Sequence, residues 1–172
     1  MKKLLIICLL TITTFTVKAQ TAKTTKEQTI NYLTRIFSLT EGEKTLNKTT
    51  KYTTNFEYTA CLFSIDKIIE KYNFETVWND PEKTKNGMRK YTSSNLKWET
   101  VTSVNLGSQL NNLTIVSITF SAKYKLTVDE EESGQENVLN LLVVNNKAGS
   151  FKKALDQLVE IMKEENKDPF QN

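Results

Sequence analysis

The stretch Val116-Ser-Ile-Thr-Phe-Ser-Ala-Lys-Tyr-Lys-Leu-Thr-Val128 alternates without a break, with Val116, Ile118, Phe120, Ala122, Tyr124, Leu126 and Val128 apolar and the residues between them polar. A period of two puts one face of a strand on a core and the other in water. At roughly 3.3 Å per residue the run spans about 40 Å, twice an ordinary strand. It is therefore expected to bend, bulge or divide near the small Ala122, and a bent strand implies a curved antiparallel sheet.

Other strands are expected on either side. From Tyr52 onward Phe56, Tyr58, Ala60 and Leu62 fall on one face, and from Tyr72 to Trp78 the residues Tyr72, Phe74 and Trp78 do the same until Asp80-Pro81 interrupts. Residues 80–95 read as a loop or weak hairpin, with Asn86-Gly87 suited to a type I′ turn. A strand over Leu96–Val104 and a turn region over Asn105–Asn112 follow. Asp129–Glu136 reads as an exposed acidic hairpin loop. Val138–Val144 is apolar on both faces and so needs cover on both.

Helices are expected at the two ends of this sheet. Thr24 and Glu27 have capping-box spacing, Ile30, Leu33, Ile36 and Phe37 recur at helical intervals, and Gly42 is placed for a C-terminal cap, giving a helix over Thr25–Leu39. After Gly149, with Ser150 as N-cap, Phe151, Ala154, Leu155, Leu158, Val159 and Met162 form the apolar stripe of a core-facing helix. The fold expected is α+β: an N-terminal helix, a curved antiparallel sheet or partly closed barrel of about five to seven strands, and a C-terminal amphipathic helix packed across it.

Residues 1–19 read as a secretory signal peptide. Lys2 and Lys3 precede the apolar run Leu4–Leu10, and Val17-Lys18-Ala19 offers a cut before Gln20. The apolar run is too short for a membrane span, which takes about 20 residues. Cys8 lies inside that run with Ile7 before it, a poor match to a lipidation site. Residues 20–172 then form one α+β domain, exported to the periplasm or beyond, with no transmembrane segment. Cleavage removes three lysines and no acid, leaving twenty basic and twenty acidic residues, so the whole-chain charge of +3 belongs to the leader. Nucleic acid, which needs a retained basic face, is not an expected partner.

The chain has no histidine, which excludes His-based triads and imidazole metal sites. With five glycines it has no phosphate-cradling loop, and it has no Cys-x-x-Cys pair. Counted from Asp129, the acidic run puts Gly134 at position six of an EF-hand but Asn140 at position twelve, where a bidentate Glu belongs. Lys83, Lys85, Arg89, Lys90 and Lys97 read as a solvated loop or a contact for an acidic partner. Cys61, the one cysteine left after cleavage, lacks a histidine to activate it and reads as buried, with an intermolecular disulfide as the alternative. Asp66, Glu70, Glu75 and Asp80 are candidates by type for a carboxylate hydrolase, but no spacing selects a pair. Tyr58, Phe63, Tyr72, Phe74, Trp78 and Trp98 either fill the core or line a cavity for an apolar ligand.

The Lys18-Ala19-Gln20 junction, the Thr/Lys/Asn-rich body and the ending FKKALDQLVEIMKEENKDPF (151–170) resemble small uncharacterised exported proteins of Gram-negative bacteria. The order of antiparallel strands followed by an amphipathic helix is similar to pleckstrin-homology-like barrels, with the N-terminal helix as an addition. That resemblance implies architecture only, and no phosphoinositide-binding motif accompanies it. The function expected is a secreted or periplasmic, non-enzymatic interaction module for a protein or envelope component. The alternatives are a carrier of a small apolar ligand in a groove between sheet and helix, and, third, a carboxylate-based hydrolase. No catalytic, metal or cofactor-binding residue is assigned, no cofactor is expected, and ligand-binding residues are left open.

Overall fold

A computed structural model describes residues 24–79 and 83–167; residues 1–23, with the expected signal peptide, residues 80–82, with Asp80, and residues 168–172 lie outside the described residues. The order is α1 (Lys26–Ser38), β1 (Lys44–Lys48), β2 (Tyr52–Phe63), β3 (Lys67–Trp78), β4 (Lys85–Ser94), a 3-10 turn (Trp98–Thr100), β5 (Val101–Leu110), β6 (Leu113–Val128), β7 (Glu131–Val144) and α2 (Asn145–Glu165). This is the expected α+β architecture, with a seven-stranded antiparallel sheet curled into a half-barrel and α2 packed against the strands. No described helix is long and apolar enough to cross a membrane.

The sheet is organised around β6. Along one edge β6 pairs with β7, while along the other it pairs first with β5, up to Phe120, and then with β4, from Lys125. The register with β7 also breaks between Thr119 and Tyr124. Partner exchange and register break thus coincide around Ala122, where the length of the alternating run calls for a bend.

The two helices bury one apolar stripe each. Leu33, Ile36 and Phe37 of α1 and Phe151, Leu155 and Leu158 of α2 are buried. Between them and the sheet runs a chain of rings: Phe37 to Phe151 at 6.1 Å, Phe151 to Phe63 at 6.2 Å, Phe63 to Trp98 at 5.6 Å and Trp98 to Phe120 at 5.8 Å. Aromatic pairs at these separations add about 0.5–1.5 kcal/mol each beyond the area they bury. The sheet–helix interface is therefore filled rather than hollow.

Several local expectations are corrected. The capping box of α1 is Thr25 with Gln28, one residue after the expected pair, and Gln28 returns a bond to the Thr25 amide. Leu39 is the C-cap; Gly42, at φ +84°, makes the following turn and donates its amide to the Tyr58 carbonyl. Helix α2 begins at Asn145, ahead of Gly149-Ser150, because the Asn145 side chain accepts from Thr114 Oγ1 at 2.7 Å and donates to the Asn111 carbonyl at 2.9 Å. Those tertiary bonds fix the start where no local cap signal exists.

Asn86-Gly87 lies inside β4, not in a turn, and Gly87 stands opposite Phe74. A Cβ there would come within 3.1 Å of the Phe74 ring, so glycine makes room for a cross-strand aromatic residue. The expected strand at Leu96 starts only at Val101, because Trp98 leaves the sheet to fill the core and donates Nε1–H to the Ile65 carbonyl at 2.7 Å. The turn expected over Asn105–Asn112 shrinks to Asn111-Asn112, with β5 continuing to Leu110. The acidic loop shrinks likewise to Asp129-Glu130, both at positive φ as a type I′ turn requires, and the remaining acids lie on β7.

In β2 the register shifts between Tyr58 and Ala60. The extra residue inverts the alternation beyond it, so Cys61 and Phe63 turn inward and Leu62, expected in the core, is 49% exposed.

The packing yields a paired prediction. Leu155→Ala removes a fully buried side chain from α2 and is expected to cost about 2–5 kcal/mol. Leu62→Ala is expected to cost under about 1 kcal/mol. Urea unfolding of both variants measures this, and an equal cost for the two contradicts the bulged register.

Candidate functional site

A cleft of about 350 Å³ opens on the half-barrel between β2–β3–β4 and the β5–β6–β7 side, lined by Tyr58, Glu70, Tyr72, Tyr91, Leu110, Ile115, Asn140 and Leu142. A second lobe of similar volume shares Tyr58, Tyr72, Leu110 and Leu142 with it and adds Thr45, Leu46, Asn47 and Phe56. The result is one groove with an apolar mouth and a floor of phenols around one carboxyl.

Strand pairing brings these side chains together. Glu70 on β3 stands opposite Cys61 on β2 and Tyr91 on β4, while the neighbouring rung pairs Tyr72 with Tyr58. The rings form a contiguous wall: Phe56 to Tyr72 at 5.3 Å, Tyr58 to Tyr72 at 5.7 Å, and Tyr72 stacked on Tyr91 at 5.6 Å. Across the cleft the Leu142 backbone of β7 comes beside the Glu70 carboxyl. The Leu142 carbonyl accepts from Thr40 Oγ1 at 3.1 Å, so a side chain rather than a further strand satisfies it.

Burial pushes the Glu70 carboxyl up to about 7, against the opposing pull of the Leu142 backbone. Burial, with the Glu70 charge next, also raises the Tyr58 phenol and the Cys61 thiol far above their usual ranges. The Tyr72 phenol is raised by burial and by the neighbouring Tyr91 phenol. Tyr124 is pushed up to about 12, chiefly by burial. Cys61 is fully buried, so its thiol is a poor nucleophile.

The groups singled out from sequence separate here. Of the four carboxylates, Glu70 lines the cleft, Asp66 is exposed in the turn before β3, Glu75 is exposed on β3, and Asp80 lies outside the described residues. Of the six aromatic residues, Phe63 and Trp98 are core, Tyr58 and Tyr72 line the cleft, Phe74 lies under the Arg89 guanidinium at 5.8 Å, and Trp78 is 38% exposed. The basic and acidic runs meet each other: Arg89 pairs with Asp129 and Lys90 with Glu130, both at 3.0 Å. Among the described residues no group of three or more Asp, Glu, Cys or His side chains is placed to hold a metal ion. Tyr91, Asn140 and Leu142 were not singled out by sequence reasoning. They reach the cleft only through long-range pairing.

No family model, no curated protein and no solved structure matches the chain.

A carboxyl whose folded-state pKa lies above its unfolded value holds its proton more tightly when folded. Stability from this group is therefore fully present below about pH 4.5 and declines as pH rises toward 7. The shift corresponds to a decline of about 3 kcal/mol. Glu70→Gln, which keeps the shape of the side chain and cannot ionise, is expected to flatten the fall in unfolding free energy between pH 5 and 8 by about 2–3 kcal/mol. Urea unfolding across that range tests this, and parallel pH profiles for the two proteins contradict the buried carboxyl.

Proposed function

We propose that the protein is an exported carrier or receptor for a small amphipathic molecule, bound in the cleft between strands rather than in a groove under a helix. The carrying observation is the union, in one concave site, of the apolar Leu46, Phe56, Leu110 and Leu142 with the polar floor of Glu70, Asn140 and the tyrosines. Small-ligand sites have this composition, and a volume of about 350 Å³ falls at the small end of the usual range of roughly 300–1,000 Å³. The apolar body of such a ligand packs against the leucines and ring faces, and its polar end meets the carboxyl and hydroxyls. The filled sheet–helix interface is what moves the proposed site away from the helices.

The reading as a module for a protein or envelope component rests on exposed apolar side chains. Leu39, Leu62, Met88 and Val138 are such residues, but Leu39 caps α1 while the other three lie on β2, β4 and β7, strands that do not pair with one another, which gives this reading less support. A hydrolase would need a second carboxyl converging on Glu70, and the described lining residues of the cleft supply none. Export rests on the sequence of residues 1–19, and the likeness in architecture to pleckstrin-homology-like barrels on the order of strands and final helix alone.

Native mass spectrometry of the protein purified from its own cells is expected to show a bound small molecule. Leu110→Arg, at a partly exposed position in the mouth of the cleft, is expected to lose that mass while keeping the wild-type charge-state envelope. A clean apo mass for the wild type contradicts the proposal.

A further inference from the structure

We propose that the cleft selects a cationic ligand, an alkylammonium head seated against the rings of Tyr58, Tyr72 and Tyr91 with its charge met by the Glu70 carboxylate. This rests on the reading of the cleft as a ligand site and names the chemistry that site takes.

The argument is one of charge complementarity. Glu70 is the only carboxyl among the described residues lining the cleft. An ionised carboxylate offers about four acceptor positions, and among the described residues no side chain lining the cleft carries a positive charge to meet them. Filling the cleft with a neutral apolar body strips water from that carboxylate without replacing it, which is costly. An anion placed there meets like charge in a medium of reduced dielectric. A cation resolves both problems and also faces rings whose π-clouds attract positive charge. The same sheet already uses this contact, since the Arg89 guanidinium lies 5.8 Å from the Phe74 ring centroid. Arg89 is itself held by Asp129 at 3.0 Å, so its charge is engaged at the turn.

The groups around Glu70 make its ionisation the switch for binding. From β2 come Tyr58 and Cys61, from β3 Tyr72, from β4 Tyr91 and Arg89, and from β6 Tyr124; Glu41 accepts from the Cys61 amide at 3.1 Å, and Glu136 of β7 acts on Tyr124. The phenols of Tyr58, Tyr72 and Tyr124 and the thiol are held neutral by upward shifts, whereas Glu70 gains and loses its charge near neutrality. Cation affinity therefore falls as pH falls through that range.

The test is a proton–nitrogen NMR titration of the full mature chain at pH 8 with three probes of equal chain length, hexyltrimethylammonium, hexanol and hexanoate, read at the Leu142 and Asn140 amides. The cation is expected to bind at least tenfold more tightly than hexanol, and hexanoate more weakly than either. Glu70→Gln is expected to bring the cation to within about threefold of hexanol while leaving hexanol unchanged; Glu75→Gln, altering an exposed carboxyl outside these lobes, is expected to keep the preference. At pH 5.5 the wild type is expected to lose about tenfold for the cation and nothing for hexanol. If hexanol binds as well as the cation, or Glu70→Gln keeps the preference, charge selection is overturned and the cleft remains a ligand site. If none of the three probes moves these amides, both readings fall.

Discussion

A seven-stranded sheet that curls without closing leaves the backbone of its last edge in need of partners, and at the Leu142 carbonyl a side chain meets that need by donating Thr40 Oγ1–H at 3.1 Å. Unpaired peptide groups at a buried seam cost as much as lost hydrogen bonds. This contact joins β7 to the turn after α1 without adding a strand pair to close the space. The Leu142 backbone also comes beside Glu70 of β3 and holds its carboxyl down against the upward push of burial. Glu70 is also the polar floor of the cleft, so the architecture and the proposed chemistry meet in one side chain.

The curl has its own cause in β6. One edge of this strand serves β5 and then β4, and the changeover falls at the stretch where pairing with β7 also lapses. Phe37 and Phe151 from the helices meet Phe63, Trp98 and Phe120 from the sheet side and fill the core, so stability is concentrated there. The cleft side can then carry polar groups at a cost the core offsets. The exposed pairs of Arg89 with Asp129 and Lys90 with Glu130 add little energy, but they tie the acidic turn to β4.

Elements whose side chains face two different environments along their length were legible in the sequence. The helix at Leu33 to Phe37, the helix at Phe151 to Val159 and the run from Val116 to Val128 each announce their period, and with it the layer order of the fold. What stayed hidden depends on partners far away in the chain. The bulge that turns Leu62 out and Cys61 in leaves no local mark, and Gly87 inside a strand makes sense only once Phe74 stands opposite. The start of α2 at Asn145 is set by Thr114 and Asn111. The cleft had one signal. Ile68, Glu70, Tyr72 and Phe74 share a face under a period of two, and an acid among three apolar residues on an inward face is a group that must find a use. Starting that strand at Tyr72 cut Glu70 out of the pattern. Tyr91, Asn140 and Leu142 offered no comparable sign, because β4 and β7 bring them to the site only after folding.

The central claim is that Glu70 is a half-buried acid on the cleft floor whose carboxyl faces the Leu142 backbone across the seam. A carbon-13 NMR titration of the Glu70 carboxyl, recorded alongside the Leu142 amide proton, measures this directly. The account predicts a midpoint near pH 7, with the Leu142 resonance moving through the same midpoint. A Glu70 carboxyl that titrates in the ordinary range near pH 4.3, with Leu142 indifferent to it, contradicts the account.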